Sequence, residues 1–320
     1  MNIGIAKENR PEEKRVVIRP KELKKIALSH SVFVEQGAGL GIGIKDEEYI
    51  KAGAKIASKE KIYSCPLVVR LKEPIEEELA LMKPGSFIMS MMHLGGNLEL
   101  KKLLEKHKIT GIPLDKIPDD LGRRKVEALH QTGYLGMEKG FELWGKDPSK
   151  CKVKIMGFGN LAYGAIHCAG DKSAKSIKVL TIKDFKNMKD HISGTDILVN
   201  AINWPHHLRG KEFIITRDML KLFKKNAVIC DLISNPKGQS PIKTMRPTSL
   251  SDISYEVDGI IHTSCWGWPG LDPVNISKRY SLQIAPIIEK IADKGFAKAP
   301  KELKEVMHPP KIKTIKKKVE

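Results

Sequence analysis

The chain has 320 residues, of which 41% are hydrophobic and 29% charged, and this suits a globular protein of two ordinary domains. No apolar run reaches the roughly 18 residues that a transmembrane helix needs, and the N-terminus begins as a strand without the apolar core of a signal peptide. The net charge of +18 could attract nucleic acid, but the lysines are spread over most segments and only 6% of the residues are aromatic. We therefore expect a cytoplasmic protein with neither a membrane nor a nucleic-acid partner.

Two further features of the composition bear on ligands. The five cysteines are odd in number and lack C-x-x-C spacing, which indicates free thiols in a reducing compartment rather than a metal cluster or a disulfide framework. The dense basic run is at the C-terminus, where it is typical of a solvated tail; it comprises Lys311, Lys313, Lys316, Lys317 and Lys318.

The first half of the chain alternates strands and helices. Strands are predicted at 2–6, 31–35, 65–71, 86–92 and 109–114, and helices at 20–28, 46–56 and 97–106. The runs at 65–71 and 86–92 are continuously apolar, as in a parallel sheet covered on both faces. This pattern predicts an α/β domain.

A long helix predicted over about 122–144 leads into a second alternating region. Its strands are predicted near 152–157, 177–182, 196–201, 227–232 and 258–263, and a helix over 279–295 could pack back on the first domain. The predicted fold is α/β, with two Rossmann-like doubly wound domains whose parallel sheets are separated by a cleft. The predicted domains are a substrate domain (1–130 plus 285–320) and a dinucleotide-binding domain (131–284), with the ligand site in the cleft.

A glycine motif follows the predicted strand near 152–157. Gly157 permits a tight turn, Gly159 lets backbone N–H groups approach a pyrophosphate, and Asn160 and Leu161 open the helix that follows. Ala162 replaces the third glycine of G-x-G-x-x-G. A plain glycine turn between a buried strand and a helix would look the same, so the motif alone is weak.

Other strand ends of the second half would border the same cofactor. Ala201 and Ile202 follow one strand, and Asp231 ends the next. Asp184 could accept a ribose 2′-hydroxyl, whereas Lys183 could meet a 2′-phosphate, so the choice between NAD and NADP stays open. Trp266 and Trp268 could wall the nicotinamide pocket or serve as hydrophobic plugs.

Candidates for chemistry lie at strand ends of the first half. Lys72 could polarise a carbonyl or imine and His93 could transfer a proton near neutral pH, although each could also be a solvated loop charge. Arg15 precedes an apolar run. Arg123 and Arg124 are predicted at the start of the connecting helix, where paired guanidinium groups suit carboxylate capture; a plain surface turn is the alternative.

The N-terminal segments resemble the alanine dehydrogenase superfamily, which also contains transhydrogenase domains, carboxyethylornithine synthase and the lysine-forming saccharopine dehydrogenases. The resemblance covers residues 2 to about 290 and is clearest in Glu13-Lys14-Arg15-Val16, Lys72-Glu73-Pro74 and His93-Leu94.

Several segments are similar to the superfamily members that act on secondary amines between two acids (opines), namely saccharopine dehydrogenase and carboxyethylornithine synthase. Asp120-x-Gly122-Arg123-Arg124 resembles a carboxylate-binding segment of saccharopine dehydrogenase, and the segments 157–165 and 200–204 resemble carboxyethylornithine synthase. One position departs from the alanine dehydrogenases, which place an acid where this chain has Asn235. An asparagine can hydrogen-bond a ribose or a substrate, but it cannot act as an anionic base.

The resemblance implies an NAD- or NADP-dependent dehydrogenase of the saccharopine or opine type. Such an enzyme oxidises a secondary amine to an imine, which hydrolyses to an amino acid and a 2-oxo acid, or runs the reverse condensation. Lys72 and His93 would be the acid–base pair, Arg15 and Arg124 would hold substrate carboxylates, and the turn at Gly157 would hold the pyrophosphate. We expect these small-molecule partners and a homo-oligomer. The alternatives are an alanine dehydrogenase and a non-catalytic nucleotide-binding module.

Overall fold

The computed structural model describes residues 1–309, so the basic run at 311–318 lies outside the described residues. The chain forms two compact units. Unit 1 comprises Met1–Glu127 together with the chain from Pro273 onward, and unit 2 comprises Ala128–Asp272. Each unit contains a six-stranded sheet flanked by helices, which confirms the predicted fold class of two parallel-sheet α/β domains. Within residues 1–309, no helix has both the length and the apolar character needed to cross a bilayer.

Unit 1 has an entirely parallel sheet with the strand order β3-β2-β1-β4-β5-β6. Its strands are β1 (Asn2–Ile5), β2 (Ser31–Glu35), β3 (Lys55–Ala57), β4 (Leu67–Val69), β5 (Phe87–Ser90) and β6 (Thr110–Pro113). Its helices are α1 (Pro20–Ala27), α2 (Asp46–Lys51), α3 (Lys59–Tyr63), α4 (Glu76–Ala80), α5 (Leu98–Lys106), α10 (Pro273–Lys294) and α11 (Lys301–Val306).

Most predicted elements of unit 1 are present, with shorter bounds. Strands β4 and β5 are buried at every position, as their continuous apolar runs predict. Helix α2 ends at Lys51 rather than near 56, because Gly53 adopts φ +95 and the chain then enters β3. The closing helix α10 starts at Pro273, where proline suits the first helical turn, and it packs against α1 within unit 1.

Unit 2 has the strand order β11-β12-β10-β9-β7-β8, in which β11 alone is antiparallel among its described strands. Its strands are β7 (Lys152–Met156), β8 (Ser176–Leu180), β9 (Ile197–Asn200), β10 (Val228–Asp231), β11 (Tyr255–Val257) and β12 (Ile260–Thr263). Its helices are α6 (Leu129–Trp144), α7 (Asn160–Asp171), α8 (Ile182–Phe185) and α9 (Met188–Ile192).

Two predictions for this region need correction. The strand predicted at 258–263 begins in a hairpin turn, because Asp258 and Gly259 have φ values of +51 and +77 and join β11 to β12. The helix predicted over 122–144 begins only at Leu129, since Gly122 has φ +73 and the segment before the helix turns back on itself. The arginines at 123 and 124 therefore stand in a turn and not at a helix start.

Helices α6 and α7 approach each other closely through glycine. A Cβ atom at Gly133 would lie 1.9 Å from the carbonyl oxygen of Leu161, and one at Gly164 would lie 1.8 Å from that of His130. Both positions therefore exclude a side chain. This contact fixes the start of α7 against the unit 2 core, which includes Leu161 and Ala162.

Candidate active site and nucleotide-binding turn

The candidate active site of unit 1 lies where its strand order reverses. Strand β1 pairs with both β2 and β4, so the loops that follow β1 and β4 leave the same edge of the sheet and open a crevice there. Glu8 joins the two loops, because its carboxylate accepts hydrogen bonds from the backbone N–H groups of Leu71 at 2.7 Å and Lys72 at 3.0 Å. Burial raises the pKa of Glu8 despite the nearby charge of Arg70. Glu8 thereby fixes the backbone that presents Lys72.

Lys72 lies beside a buried ion pair. Its Nζ atom is 3.9 Å from Glu13 Oε2, and Glu13 also accepts hydrogen bonds from two nitrogens of the Arg15 guanidinium, Nε at 2.6 Å and Nη2. Burial lowers the pKa of Lys72, and the charge of Arg15 lowers it further, more than Glu13 restores. Lys72 therefore exchanges a proton more readily than a solvated lysine does.

His93 belongs to the same cluster through Glu73, the residue that follows Lys72. Its Nδ1 atom is 3.1 Å from Glu73 Oε1, and its backbone N–H donates to Asp115 at 3.2 Å. Burial alone would raise the pKa of Glu73, but the hydrogen bond with His93 and the charge of Arg10 hold it at about 2. An ionised Glu73 thus orients the imidazole. His93 adopts φ +48 and its side chain is 46% exposed, so a substrate can reach it.

Arg124 extends this cluster from the turn before α6. Its Nε atom donates to the carbonyl of Val126 at 2.8 Å, and Nη2 lies 3.1 Å from the sulfur of Met91, just before His93. The guanidinium is half-buried, and its partners in the part of the chain that the structure describes are this carbonyl and this sulfur rather than a carboxylate. Tyr280 of α10 lies near both Arg15 and Arg124, whose charges act on its phenol.

A cavity adjoins the cluster within unit 1. Its volume is about 430 Å³, and its walls come from the segments 7–15 and 37–41, including Glu13 and Arg15. This size suits a ligand as small as an amino acid. The structure therefore brings Arg15, Lys72 and His93 into one cluster beside a cavity. It adds the carboxylates Glu8, Glu13 and Glu73, to which the sequence analysis gives no role, although Glu73 directly follows Lys72 and Glu13 lies two residues before Arg15.

In unit 2 the glycine motif forms the turn between β7 and α7. Gly157 has φ +104, and a Cβ atom there would lie 2.9 Å from Ile202 Cγ2 and 3.1 Å from the carbonyl oxygen of Ala201. Only glycine fits, and the loops after β7 and β9 therefore meet at the point where this sheet reverses its order. A Cβ atom at Gly159 would meet nothing within 4 Å, so open space lies at the start of α7. A pyrophosphate fits this arrangement, with the backbone of Asn160 and Leu161 next to it.

Other predicted cofactor residues have contacts within unit 2. Asp184 lies in the first turn of α8 and accepts hydrogen bonds from the backbone and hydroxyl of Thr181 at 2.8 and 3.0 Å. Asp231 is fully buried, and it accepts hydrogen bonds from Ser240 Oγ at 2.7 Å and Asn200 Nδ2 at 3.0 Å. Burial raises the pKa of Asp231. It holds the loop after β10 in place, and direct contacts of either aspartate with a nucleotide stay predictions.

The roles of three more residues, in the loops after β10 and β12, are undecided in the sequence analysis. Trp268 is a plug, since it is 2% exposed, belongs to the core of unit 2 and donates from Nε1 to the carbonyl of Asp231 at 3.2 Å. Trp266 is 47% exposed. Asn235 is buried, and its Nδ2 group has no hydrogen-bond partner within the described chain.

Together, a sheet with a nucleotide-type glycine turn and a second sheet with a charged strand-end cluster define the class of two-domain, doubly wound dinucleotide-binding proteins. Two family profiles match this chain in succession. The profile described as alanine dehydrogenase/PNT, N-terminal domain, matches residues 4–134, and that described as alanine dehydrogenase/PNT, C-terminal domain, matches residues 165–314. The chain belongs to the alanine dehydrogenase/PNT superfamily.

Individual relatives agree with this family. Alanine dehydrogenase 1 of Staphylococcus aureus is 27% identical over 345 aligned residues, which cover 94% of this chain and 90% of that protein. A solved L-alanine dehydrogenase has a TM-score of 0.83 at 23% identity and covers 93% of this chain and 94% of its own. A transhydrogenase from Sinorhizobium meliloti has a TM-score of 0.78 at 21% identity, with coverages of 92% and 95%. These findings support the superfamily and favour the alanine dehydrogenase alternative over the saccharopine or opine reading.

Proposed function

We propose that this protein is an NAD(H)-dependent amino-acid dehydrogenase of the alanine dehydrogenase type. It oxidises the CH–NH₂ group of an amino acid to an imine, which water converts into a 2-oxo acid and ammonia, and it also runs the reverse reaction. The observation that carries the proposal is the cluster of Arg15, Lys72 and His93 beside a cavity of about 430 Å³. The match of both family profiles and the Staphylococcus aureus relative support the same activity.

Lys72 and His93 are the proposed acid–base pair. The lowered pKa of Lys72 lets it take a proton from the substrate ammonium or give one to the carbinolamine oxygen as the imine forms. His93, whose Nδ1 atom is held by the ionised Glu73, is the proposed proton acceptor for the attacking water. Arg15, preorganised by Glu13, holds the substrate carboxylate.

Unit 2 is the proposed nucleotide-binding domain, and unit 1 is the proposed substrate domain. The backbone at Gly157, Gly159 and Asn160 would hold the pyrophosphate, and the loop at Ala201 and Ile202 would border it, since Gly157 contacts that loop. When bound, NAD supplies the hydride acceptor, and NADH the hydride donor. We further propose a homo-oligomer.

A second candidate is the saccharopine or opine type of reaction, in which the amine is a second amino acid instead of ammonia. Arg124 favours it, because this half-buried guanidinium has no carboxylate partner among residues 1–309 and is suited to a further carboxylate on the substrate. Asn235, buried where alanine dehydrogenases have an acid, also distinguishes this chain from them.

A substrate panel tests both candidates. Reduced cofactor, as NADH or NADPH, is supplied with pyruvate or 2-oxoglutarate and with ammonia, lysine or ornithine, and cofactor oxidation is followed at 340 nm. We expect the highest kcat/KM with NADH, pyruvate and ammonia. Faster turnover with lysine or ornithine would assign the protein to the second candidate, and cofactor binding without turnover on any pair would make it a non-catalytic nucleotide-binding module.

A further inference from the structure

Helix α10 places Tyr280 against the segment that carries Arg15. On the same face of this helix, Ser277 Oγ accepts a hydrogen bond from the backbone N–H of Val16 at 3.0 Å, and Ser281 Oγ accepts one from that of Arg19 at 2.9 Å. These two bonds hold the helix against both ends of the segment 16–19. Tyr280, between the two serines, is therefore held at the edge of the candidate active site.

The hydroxyl of Tyr280 is unusual among the buried tyrosines of unit 1. Tyr49 donates its hydroxyl hydrogen to the carbonyl of Ile18 at 2.9 Å, and the hydroxyl of Tyr63 accepts a hydrogen bond from Arg70 at 2.8 Å. Most of Tyr280 is buried, but its hydroxyl oxygen forms no hydrogen bond within residues 1–309 and is not among the enclosed unpaired polar atoms there, so solvent reaches it. An accessible hydroxyl without a protein partner is free to bind a ligand.

The charges around Tyr280 indicate what that ligand is. The Arg15 guanidinium lies 6.0 Å from the centre of the ring, and Arg124 acts on the phenol as a second positive charge. Burial raises the pKa of Tyr280 in spite of both arginines, so the phenol stays protonated and can donate its hydrogen. A neutral donor near positive charge matches a carboxylate, which only accepts hydrogen bonds.

We propose that the Tyr280 hydroxyl donates a hydrogen bond to a carboxylate oxygen of the 2-oxo acid, and of the amino acid formed from it, while Arg15 supplies the opposing charge. This inference rests on the proposed function, because it assumes a 2-oxo acid substrate. It holds for either candidate reaction, since both share that acid. Tyr280 is then a substrate-binding residue that selects for the carboxylate, supplied by a helix near the end of the chain.

The test compares Tyr280→Phe with the wild type, for both turnover and binding. The probe is pyruvate or 2-oxoglutarate, whichever the wild type reduces with the higher kcat/KM. Phe keeps the ring beside Arg15 and removes only the hydroxyl. We expect KM for the acid, and its Kd by calorimetry, to rise about tenfold or more, as for a lost hydrogen bond to a charged group. We expect kcat within threefold and the Kd for NADH unchanged.

Two further variants separate the hydroxyl from general damage. Tyr134→Phe is the matched control, because that hydroxyl donates to Asp171 in unit 2, and we expect KM and Kd to stay at wild-type values. Tyr280→Leu removes the ring as well. Similar losses in the Phe and Leu variants assign the effect to the hydroxyl, whereas a loss in Leu alone, or a tenfold loss of kcat with unchanged Kd, overturns the inference. A wild type that neither binds nor reduces any 2-oxo acid refutes the proposed function itself.

Discussion

The two units share a doubly wound architecture, but the chemistry at their strand ends differs. At the reversal of the unit 1 sheet, ionisable side chains join the loops, as Glu8, Glu13 and Lys72 do. At the reversal of the unit 2 sheet, the loops meet through backbone and apolar atoms around Gly157, and the carboxylate of Asp231 is buried within the loop after β10. The proposed roles follow this difference: ionisable groups at one sheet edge would move protons, and backbone at the other would hold a ligand. The same topological position can support either chemistry.

Removing Lys72 tests the proposed proton transfer in unit 1, and it has the largest expected effect. Lys72→Ala should lower kcat on the order of 10³-fold, because the group that exchanges protons with the substrate nitrogen is lost. Steady-state kinetics and a fluorescence titration with NADH measure it, and the Kd for NADH should not change. Lys83→Ala, at an exposed lysine before β5, is the control. Near-full activity of Lys72→Ala would refute the assignment.

Replacing His93 tests whether His93 and its partner Glu73 take part in catalysis. His93→Asn should lower kcat on the order of 10²-fold, since water activation loses its base while Lys72 stays in place. His107→Asn, which removes a histidine near Glu76 in the same unit, should keep wild-type kcat. A wild-type pH–rate profile in the His93 variant would show that this residue transfers no proton.

Two glycines test the proposed pyrophosphate site of unit 2. A side chain would meet open space at Gly159, but it would clash with neighbouring atoms at Gly157. Gly159→Ala places a methyl group in open space at the start of α7, so the Kd for NADH should rise about tenfold while Tm stays unchanged. Gly157→Ala is the matched variant. It should also lower Tm by several degrees, because its φ of +104 and the nearby Ala201 and Ile202 exclude a side chain. Equal NADH affinity in Gly159→Ala and the wild type would contradict a pyrophosphate at this turn.

The smallest effect concerns stability against acid. The folded-state pKa of Glu73 is about 2, below its usual 4.5, so Glu73 stabilises the fold above pH 4.5 and this contribution is lost as the pH falls towards 2. The contribution is at most about 3 kcal/mol. In urea unfolding at pH 7, 5, 4 and 3, Glu73→Gln should be less stable at pH 7 and lose less stability on acidification. The exposed Glu302→Gln should follow the wild type.

The difference between the units also explains what the sequence could reveal. Local features were readable: the apolar runs predict β4 and β5, and the glycines at 157 and 159 predict the turn into α7. Lys72 and His93 could be proposed as site residues because each directly follows such a run. The predicted start of α6 is wrong, because the segment 122–128 is not helical and contains Gly122 with a positive φ.

Long-range features could not be read in this way. The sequence predicts that the closing helix could pack back on the first domain, and α10 does contact α1. Nothing in the local pattern at 273–294 indicates that Tyr280 would meet Arg15 there. The partner of a buried charge is likewise set by tertiary packing, so the bond from Glu8 to the backbone of Lys72 was invisible. The distinction between ammonia and a second amino acid as the amine depends on such contacts.

The return of α10 makes unit 2 an insertion within unit 1, and this has a practical consequence. Glu127, the last residue of the first segment, accepts a hydrogen bond on its carbonyl from Arg279 Nε at 2.7 Å, and its N–H donates to Gln283 at 3.1 Å. Arg279 lies six residues after Pro273 in the helix, a rise of about 9 Å. A spacer of roughly three to five residues could therefore join Glu127 to Pro273. Unit 1 with this spacer in place of unit 2 would be a smaller protein in which the acid–base groups can be titrated one by one.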